Sequence, residues 1–286
     1  MSSLQHTSLS FVGCGVMAEA IIAGLLRREL VAPRQIVGSH PRAARREELE
    51  NKYGIRVVEG NADAVTLGHE GAGNSSIVIL AVKPQRLGTI LGELRSRLQP
   101  EQLVLSIVAG AKIETIAEGL AHPLVVRTMP NTPAQIGQGM TAWTATPEVN
   151  DEHLARVRTM LSALGKEINV ETERMVDMAT ALSATGPTYI FLVMEALVDA
   201  GVHMGFSRHV AQELVLQTIL GSVLFAEESH KHPAELRNMV TSPGGTSAEA
   251  IYQMEKGGLR TVLSKAVWAA FQRAQALGGA LPQKSG

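Results

Sequence analysis

Short runs of β-branched and aliphatic residues alternate with longer amphipathic stretches through the first half of the chain, and the two periods separate strands from helices. Residues 8–12 (SLSFV) predict a first strand, 16–29 a helix, 35–39 a second strand, and 42–53 a helix with a charged face. Residues 56–58 predict a weak third strand. The segments SIVILAV at 76–82 and LVLSIV at 103–108 are apolar at almost every position, as strands covered on both faces must be. These are the expected central strands. Residues 124–129 predict one more, ending in the turn-rich Pro130-Asn131-Thr132-Pro133. Strands that alternate with helices in this way close a parallel sheet through βαβ units, so the fold class expected is α/β with an N-terminal doubly wound sheet.

Beyond Gly165 the pattern changes. Proline and β-branched clusters thin out, and Ala-rich helical periodicity runs from about Glu173 to Leu277. The expected division is therefore a sheet domain over residues 1–170 and an all-α domain over 171–286. Residues 189–204 and 210–227 are apolar around most of their helical circumference, which an isolated surface helix would not tolerate; a second subunit is expected to bury them. The polar tail at 282–286 is expected to fray.

Composition narrows the partners. Twenty-six Lys and Arg against 27 Asp and Glu give a net charge of -1, so no global field gathers nucleic acid or an anionic membrane. Aromatic residues make up only 3%, which disfavours base-stacking platforms and points to a small-molecule ligand. The lone cysteine, Cys14, excludes an internal disulfide and any thiolate metal cluster, in keeping with a reducing compartment. The first ten residues lack the basic segment and apolar core of a secretory signal. The strongly apolar stretches fall short of a bilayer span. No membrane partner, no metal and a cytoplasmic location are the expectations.

Directly after the first predicted strand stands Gly13-Cys14-Gly15-Val16-Met17-Ala18, a G-x-G-x-x-A pattern opening a helix. Gly13 would allow the tight turn, Gly15 would let backbone approach a pyrophosphate, and Ala18 would keep helix and sheet close. This is the fingerprint of a Rossmann-like, dinucleotide-binding sheet. The second strand ends in Gly38-Ser39-His40, without the acidic residue that holds a free ribose 2′-hydroxyl. Ser39 and Arg42, with Arg45 or Arg46 one turn on, could meet a 2′-phosphate, which favours NADPH over NADH; the lesser alternative is that the arginines are a solvated face balanced by Glu47 and Glu48.

A second chemical signal lies at Thr241-Ser242-Pro243-Gly244-Gly245-Thr246-Ser247, before a helix running toward Glu255. Glycines at a helix start leave backbone N–H groups and a positive dipole end available to a carboxylate. Simple Ser or Thr capping would explain one hydroxyl but not Pro-Gly-Gly. At these residues the sequence resembles the pyrroline-5-carboxylate reductase family. The resemblance also covers residues 13–18, Ala81-Val82-Lys83-Pro84-Gln85, SIVAG at 106–110, Met129-Pro130-Asn131-Thr132-Pro133, ALSATGPTY at 181–189 and Gly257-Gly258-Leu259-Arg260.

The resemblance implies a Rossmann-like domain, a helical dimerisation domain, dimers that often assemble into decamers, and reduction of 1-pyrroline-5-carboxylate to L-proline by NAD(P)H. It assigns Ser242, Pro243, Gly244, Gly245, Thr246 and Ser247 to the substrate carboxylate, with the Ser247 hydroxyl on the ring nitrogen. Many relatives carry Thr at that place, and Gly-Ser-Gly-Pro where this chain has Ala184-Thr185-Gly186-Pro187. The turns Ala81-Val82-Lys83-Pro84 and Val108-Ala109-Gly110 end central strands, where ligands of open α/β sheets sit, and would flank the nicotinamide; Asn131 joins the same cofactor set.

An iminium accepts hydride directly, so positioning is expected to dominate the chemistry. Lys83 is expected to contact cofactor or solvent rather than act as an acid. His230 and His232 are expected in a solvated loop, and Cys14 as a loop filler. A 3-hydroxyacid dehydrogenase would use a Lys early in its second domain, and none occurs between Lys166 and Lys231. A related cyclic-imine reductase remains open, and so does a catalytically silent NADP sensor, which would not need the loop at 242–247.

Overall fold

The computed structural model describes residues 4–70 and 75–279; the tail at 282–286 lies outside them. Eight strands among the described residues form one sheet in the order β3-β2-β1-β4-β5-β6-β7-β8. They are β1 (Ser8–Val12), β2 (Ile36–Ser39), β3 (Arg56–Val58), β4 (Ser76–Leu80), β5 (Leu103–Ser106), β6 (Val125–Met129), β7 (Gly139–Ala145) and β8 (Gly165–Asn169). β1 to β6 are parallel, β7 runs antiparallel to β6, and β8 is parallel to β7. The chain builds outward from β1 through β2 to β3, then returns to lay β4 on the other side of β1. That reversal opens a crevice at the carboxyl ends of β1 and β4, the usual ligand position in such a sheet.

The continuous apolar runs follow from burial on both faces. Ile77 and Ile79 of β4 pack with Ile21, Ile22 and Leu25 of α1 (Val16–Arg27) and with Val157 and Leu161 of α6 (Asp151–Ser162). Val78 and Leu80 point the other way, against Leu87, Ile90 and Leu91 of α4 (Pro84–Leu94) and Ile116 of α5 (Ile113–Leu120). Each such side chain contributes about 1.5–3 kcal/mol when fully buried. Helices α2 (Ala43–Tyr53) and α3 (Asn61–Glu70) complete the layers near β1 to β3. The sequence pattern carries β4 to residue 82 and β5 to 108, but the strands end at Leu80 and Ser106. The residues beyond turn across the strand ends.

Two compact units emerge: the first runs through Thr185 and resumes at Ala270, and the second is Gly186–Ala269. The first includes α7 (Glu173–Ala179), which passes into a π-helical turn, Thr180–Ala184. The second holds α8 (Gly186–His203), α9 (Arg208–Ser229), α10 (Pro233–Met239), α11 (Thr246–Lys256) and the start of α12 (Leu259–Gly279). Gly201 lets α8 and α9 approach, since a Cβ there would lie 2.9 Å from Cβ of Ala211.

The second unit has a small interior of its own. In α8 only Val198 and Gly201 are buried, and in α9 only Ala211. Phe191, Leu192, Leu220, Val223, Leu224 and Phe225 are all exposed, Leu192 at 65%. The expectation that no stretch approaches a bilayer span is corrected here: residues 173–203 and 208–229 form helices long and apolar enough to cross a membrane. Residues that are individually interrupted by Glu195, Asp199 or Glu213 still average to an apolar helix, which inspection of unbroken runs overlooks.

Candidate active site

The turn after β1 is built for an anion. Gly13 sits at φ +89°, and a Cβ there would lie 2.7 Å from Cγ1 of Val82, so only glycine fits between the two strand ends. Gly15 is the N-cap of α1 and supplies no side-chain cap. The first intrahelical bond runs from Glu19 N–H to the Gly15 carbonyl at 2.9 Å, leaving the amides of Val16, Met17 and Ala18 without helical acceptors. A Cβ on Gly15 would meet nothing within 4 Å. The space in front of these amides is open, Gly15 and Val16 are exposed, and Ala18 is buried against the sheet. This cradle offers the free amides and the positive dipole end on which a pyrophosphate can rest.

Beneath the cradle the packing is tight. Ser39 is fully buried; its Oγ accepts from Gly13 N–H at 3.1 Å and donates to Asn61 Oδ1 at 2.7 Å. Its hydroxyl thus holds the loop from below instead of facing solvent. Cys14 is fully buried, and a Cβ on Gly38 would come within 2.4 Å of its Sγ, so the glycine in β2 exists to receive this side chain. Burial pushes the thiol up to about 12 despite Ser39 and Arg45 nearby, which suits a filler and not a nucleophile.

The three arginines of α2 have separate assignments. Arg45 pairs with Glu19 and with Glu48 and reaches the Cys14 carbonyl at 3.4 Å. Arg46 donates to the carbonyls of His40 and Pro41 and pairs with Glu59. Arg42, the exposed N-cap of α2, makes no ion pair among the described residues. His40 accepts from Arg42 N–H through Nδ1 at 3.2 Å; burial first, and then the charges of Arg42, Arg45 and Arg46, lower its pKa. Glu19 would repel an anion at the α1 terminus, yet it is neutralised. Burial alone would raise its carboxyl, but hydrogen bonds from Lys52, Arg45 and Tyr53 outweigh that and hold it at about 2.

The other strand ends gather alongside. Ala81 N–H bonds the Val12 carbonyl and Ile107 N–H the Leu80 carbonyl, which brings the turns after β1, β4 and β5 together. Lys83 is the exposed N-cap of α4, and Pro84 opens that helix. In the turn after β5, Val108 and Gly110 are buried and Ala109 half-buried. Gly110 lies at φ +74°, with a would-be Cβ 2.8 Å from Cβ of Leu277. Asn131 accepts from Met140 N–H through Oδ1 at 2.9 Å and donates to the Ser183 carbonyl at 3.3 Å, so it ties the turn after β6 to β7 and to the π turn. That π turn, closed by Thr185 N–H on the Thr180 carbonyl at 2.9 Å, is a feature common at functional sites. Nothing in the sequence announced it beyond the unusual ALSATGPTY string.

In the second unit, Gly245 is the N-cap of α11 and again gives no side-chain cap. The hydroxyl-capping alternative is thereby set aside. Gly244 takes φ +69°, Gly245 N–H bonds the Ser242 carbonyl at 3.0 Å, and a Cβ on Gly245 would crowd Ser242 Oγ at 2.5 Å. Ser242, Pro243, Gly244 and Thr246 are exposed, and Gly245 and Ser247 half-buried. The terminus of α11, like that of α1, therefore opens behind a glycine N-cap. His232 instead caps α10, accepting from Ala234 N–H, and among the described residues no three His, Cys, Asp or Glu side chains gather as a metal site.

A doubly wound sheet with an open glycine cradle at its switch point, backed by a neutralised acid and lacking a carboxylate at the end of β2, defines the class as a dinucleotide-binding protein of the NAD(P) type. Two family models match in succession: an NADP oxidoreductase, coenzyme F420-dependent, over residues 8–110, and pyrroline-5-carboxylate reductase dimerisation over 173–277. The pyrroline-5-carboxylate reductase of Synechocystis is 40% identical over 94% of this chain and 98% of its own. That of Pseudomonas aeruginosa is 39% identical over 96% and 98%. The solved structure of a Coxiella burnetii pyrroline-5-carboxylate reductase superposes with a TM-score of 0.84 at 33% identity, covering 96% of this chain and 99% of that one. The Plasmodium falciparum pyrroline carboxylate reductase, solved with NADP bound, gives 0.84 at 29% identity, covering 95% and 98%. The chain belongs to the pyrroline-5-carboxylate reductase family. Prephenate dehydrogenase of Aquifex aeolicus, at 14% identity and a TM-score of 0.51, shares the fold alone.

Proposed function

We propose that this chain reduces 1-pyrroline-5-carboxylate to L-proline with NADPH as the preferred donor and NADH as the lesser one. The observation that carries the reading is the pair of helix termini opened by a glycine N-cap, Gly15 and Gly245, in a chain related along nearly its whole length to these reductases. The first takes the cofactor pyrophosphate on the amides of Val16, Met17 and Ala18, with Gly13, Cys14 and Gly15 shaping the loop. Arg42, with the His40 ring beside it, meets the 2′-phosphate; Ser39 contributes through the Gly13 amide that it holds. Ala81, Val82, Lys83 and Pro84, with Val108, Ala109 and Gly110, line the nicotinamide end, and Asn131 fixes the neighbouring turn. When bound, the cofactor supplies a hydride from its nicotinamide ring.

The second terminus holds the substrate carboxylate on the amides of Thr246 and Ser247, using dipole and N–H groups in place of a cation. Ser242, Pro243 and Gly244 give the loop its shape, and Thr246 flanks it. The Ser247 hydroxyl orients the ring nitrogen, which already carries its proton in the iminium form. No side chain need act as a strong acid, so binding and orientation supply most of the rate. Residues 171–286 serve as the dimerisation and substrate-binding domain over which two subunits cover the apolar faces of α8 and α9. Further assembly of dimers to a decamer and a cytoplasmic location complete the reading.

The test is loss of NADPH absorbance on adding pyrroline-5-carboxylate, with proline identified as the product. NADPH binding without turnover would instead support a silent sensor.

A further inference from the structure

One buried charge cluster lies outside every role assigned above. Arg127, in the middle of β6, is 2% exposed. Its Nη1 donates to Glu173 Oε1 at 2.8 Å and its Nη2 to Asp177 Oδ1 at 2.5 Å. Glu173 and Asp177 stand four apart on α7 and so share a face. Glu173 Oε1 also accepts from the N–H of Ile113 at 2.7 Å. Ile113 is the first residue of α5, whose N-cap Lys112 supplies no side-chain cap, so the carboxylate of one helix closes the terminus of another.

Three elements thus meet at one guanidinium. Residues 107–112, the turn after β5, are anchored at their far end through Ile113 to Glu173. β6, which leads into Met129-Pro130-Asn131, is anchored through Arg127 itself. α7 is anchored at two points and continues into the π turn, where Ser183 meets Asn131. A buried ion cluster is a poor source of net stability, because desolvation offsets the attraction and well-packed apolar side chains do as well. What it supplies is a fixed geometry, since each bond requires a set direction.

We infer that Arg127 is a positioning residue for hydride transfer: through Glu173 and Asp177 it fixes the turn after β5, which lines the nicotinamide end in the reductase reading above, and the neighbouring turn after β6; the inference rests on that reading. Hydride transfer is steep in donor–acceptor distance, and a misplacement of about 1 Å costs up to about a hundredfold.

The test compares wild type, R127M and R127K as full-length protein. NADPH affinity is measured by fluorescence, hydride transfer by single-turnover mixing with pyrroline-5-carboxylate, and the primary isotope effect with NADPH deuterated at the transferred position. For R127M the expected result is NADPH affinity within about threefold of wild type, hydride transfer slowed about ten- to hundredfold, and a larger isotope effect on kcat as that step becomes limiting. R127K recovers part of the rate. A folded R127M with an unchanged single-turnover rate, or a loss fully reversed by saturating NADPH, overturns the inference. Should R127M fail to fold, D177N, which keeps the side-chain shape and removes one acceptor charge, is judged by the same criteria. A wild type that does not turn over the imine overturns the reductase reading itself; an active wild type with unaffected variants overturns only the role of Arg127.

Discussion

The sheet unit and the helical unit are built from similar proportions of aliphatic residues but dispose of them differently. In β4 every residue is buried, each alternate side chain finding a helix of the same chain. In α8 and α9, by contrast, most of the large apolar side chains face outward, Phe191 at 60% and Leu224 at 53%. An apolar surface this extensive requires a cover; the match over 173–277 is to the family's dimerisation model, and a second subunit is the cover proposed above. One unit buries its apolar side chains within its own sequence, and the other leaves them outward.

The comparison can be broken most directly by charging the outward face. The double variant L192D/L224D is expected to sediment as a monomer or aggregate and to retain less than about one hundredth of wild-type activity, because obligate dimers often lack a stable folded monomer. Survival of an active monomer would show that the helical unit is complete alone. The opposite side of the comparison is probed by truncation. A fragment of residues 1–170 removes α7, and with it both carboxylate partners of Arg127 and the helix packed over β6 and β7. A fragment of 1–185 restores the pair. Urea titration should place the midpoint of the longer fragment well above that of the shorter, and equal midpoints would deny the cluster any hold on the sheet unit.

Within the sheet unit, Glu19 gives a pH signature. Its carboxyl is lowered from the ordinary 4.5 to about 2, so the stability it contributes is full above about pH 5 and disappears as pH falls toward 2, by about 2–3 kcal/mol in all. Thermal melts across that window should show E19Q less stable than wild type at pH 7, with the two converging in acid. In the helical unit, S247A should lower kcat/KM for the imine about ten- to hundredfold, or about 1–3 kcal/mol, with NADPH binding unchanged; loss of NADPH binding instead would remove this loop from the substrate. The smallest effect expected is that of R42A. It should reduce kcat/KM for NADPH about three- to tenfold and leave NADH nearly untouched, and an equal effect on both cofactors would take Arg42 away from the 2′-phosphate.

The sheet unit was the more legible of the two because a central parallel strand writes itself as an unbroken apolar run. Six strands and the glycine turn follow from that rule and from the spacing of Gly13, Gly15 and Ala18. β7 and β8 did not follow. GMTAWTA lacks the Val and Ile of its neighbours, and GKEIN lies at the sheet edge with its side chains largely in solvent, so neither carries the apolar density that marks a strand. The Ser39 hydroxyl was misjudged for a related reason: sequence places it at the right strand end but cannot say that Asn61, twenty-two positions on, turns it inward. Arg127 stands within an apolar strand and its partners lie 46 and 50 residues away, so only the fold brings them together. In the helical unit the apolar circumference was visible, but unbroken runs understated it, since a single Glu or Asp per turn does not make a helix polar.

The fit of Cys14 against Gly38 turns the chain's one thiol into a timepiece. Held up to about 12 and sealed beneath the cradle, it cannot meet an alkylating reagent until the turn after β1 lifts away from β2. The labelling rate of the native protein therefore follows the population of that open turn, and it should fall whenever a dinucleotide holds the turn down.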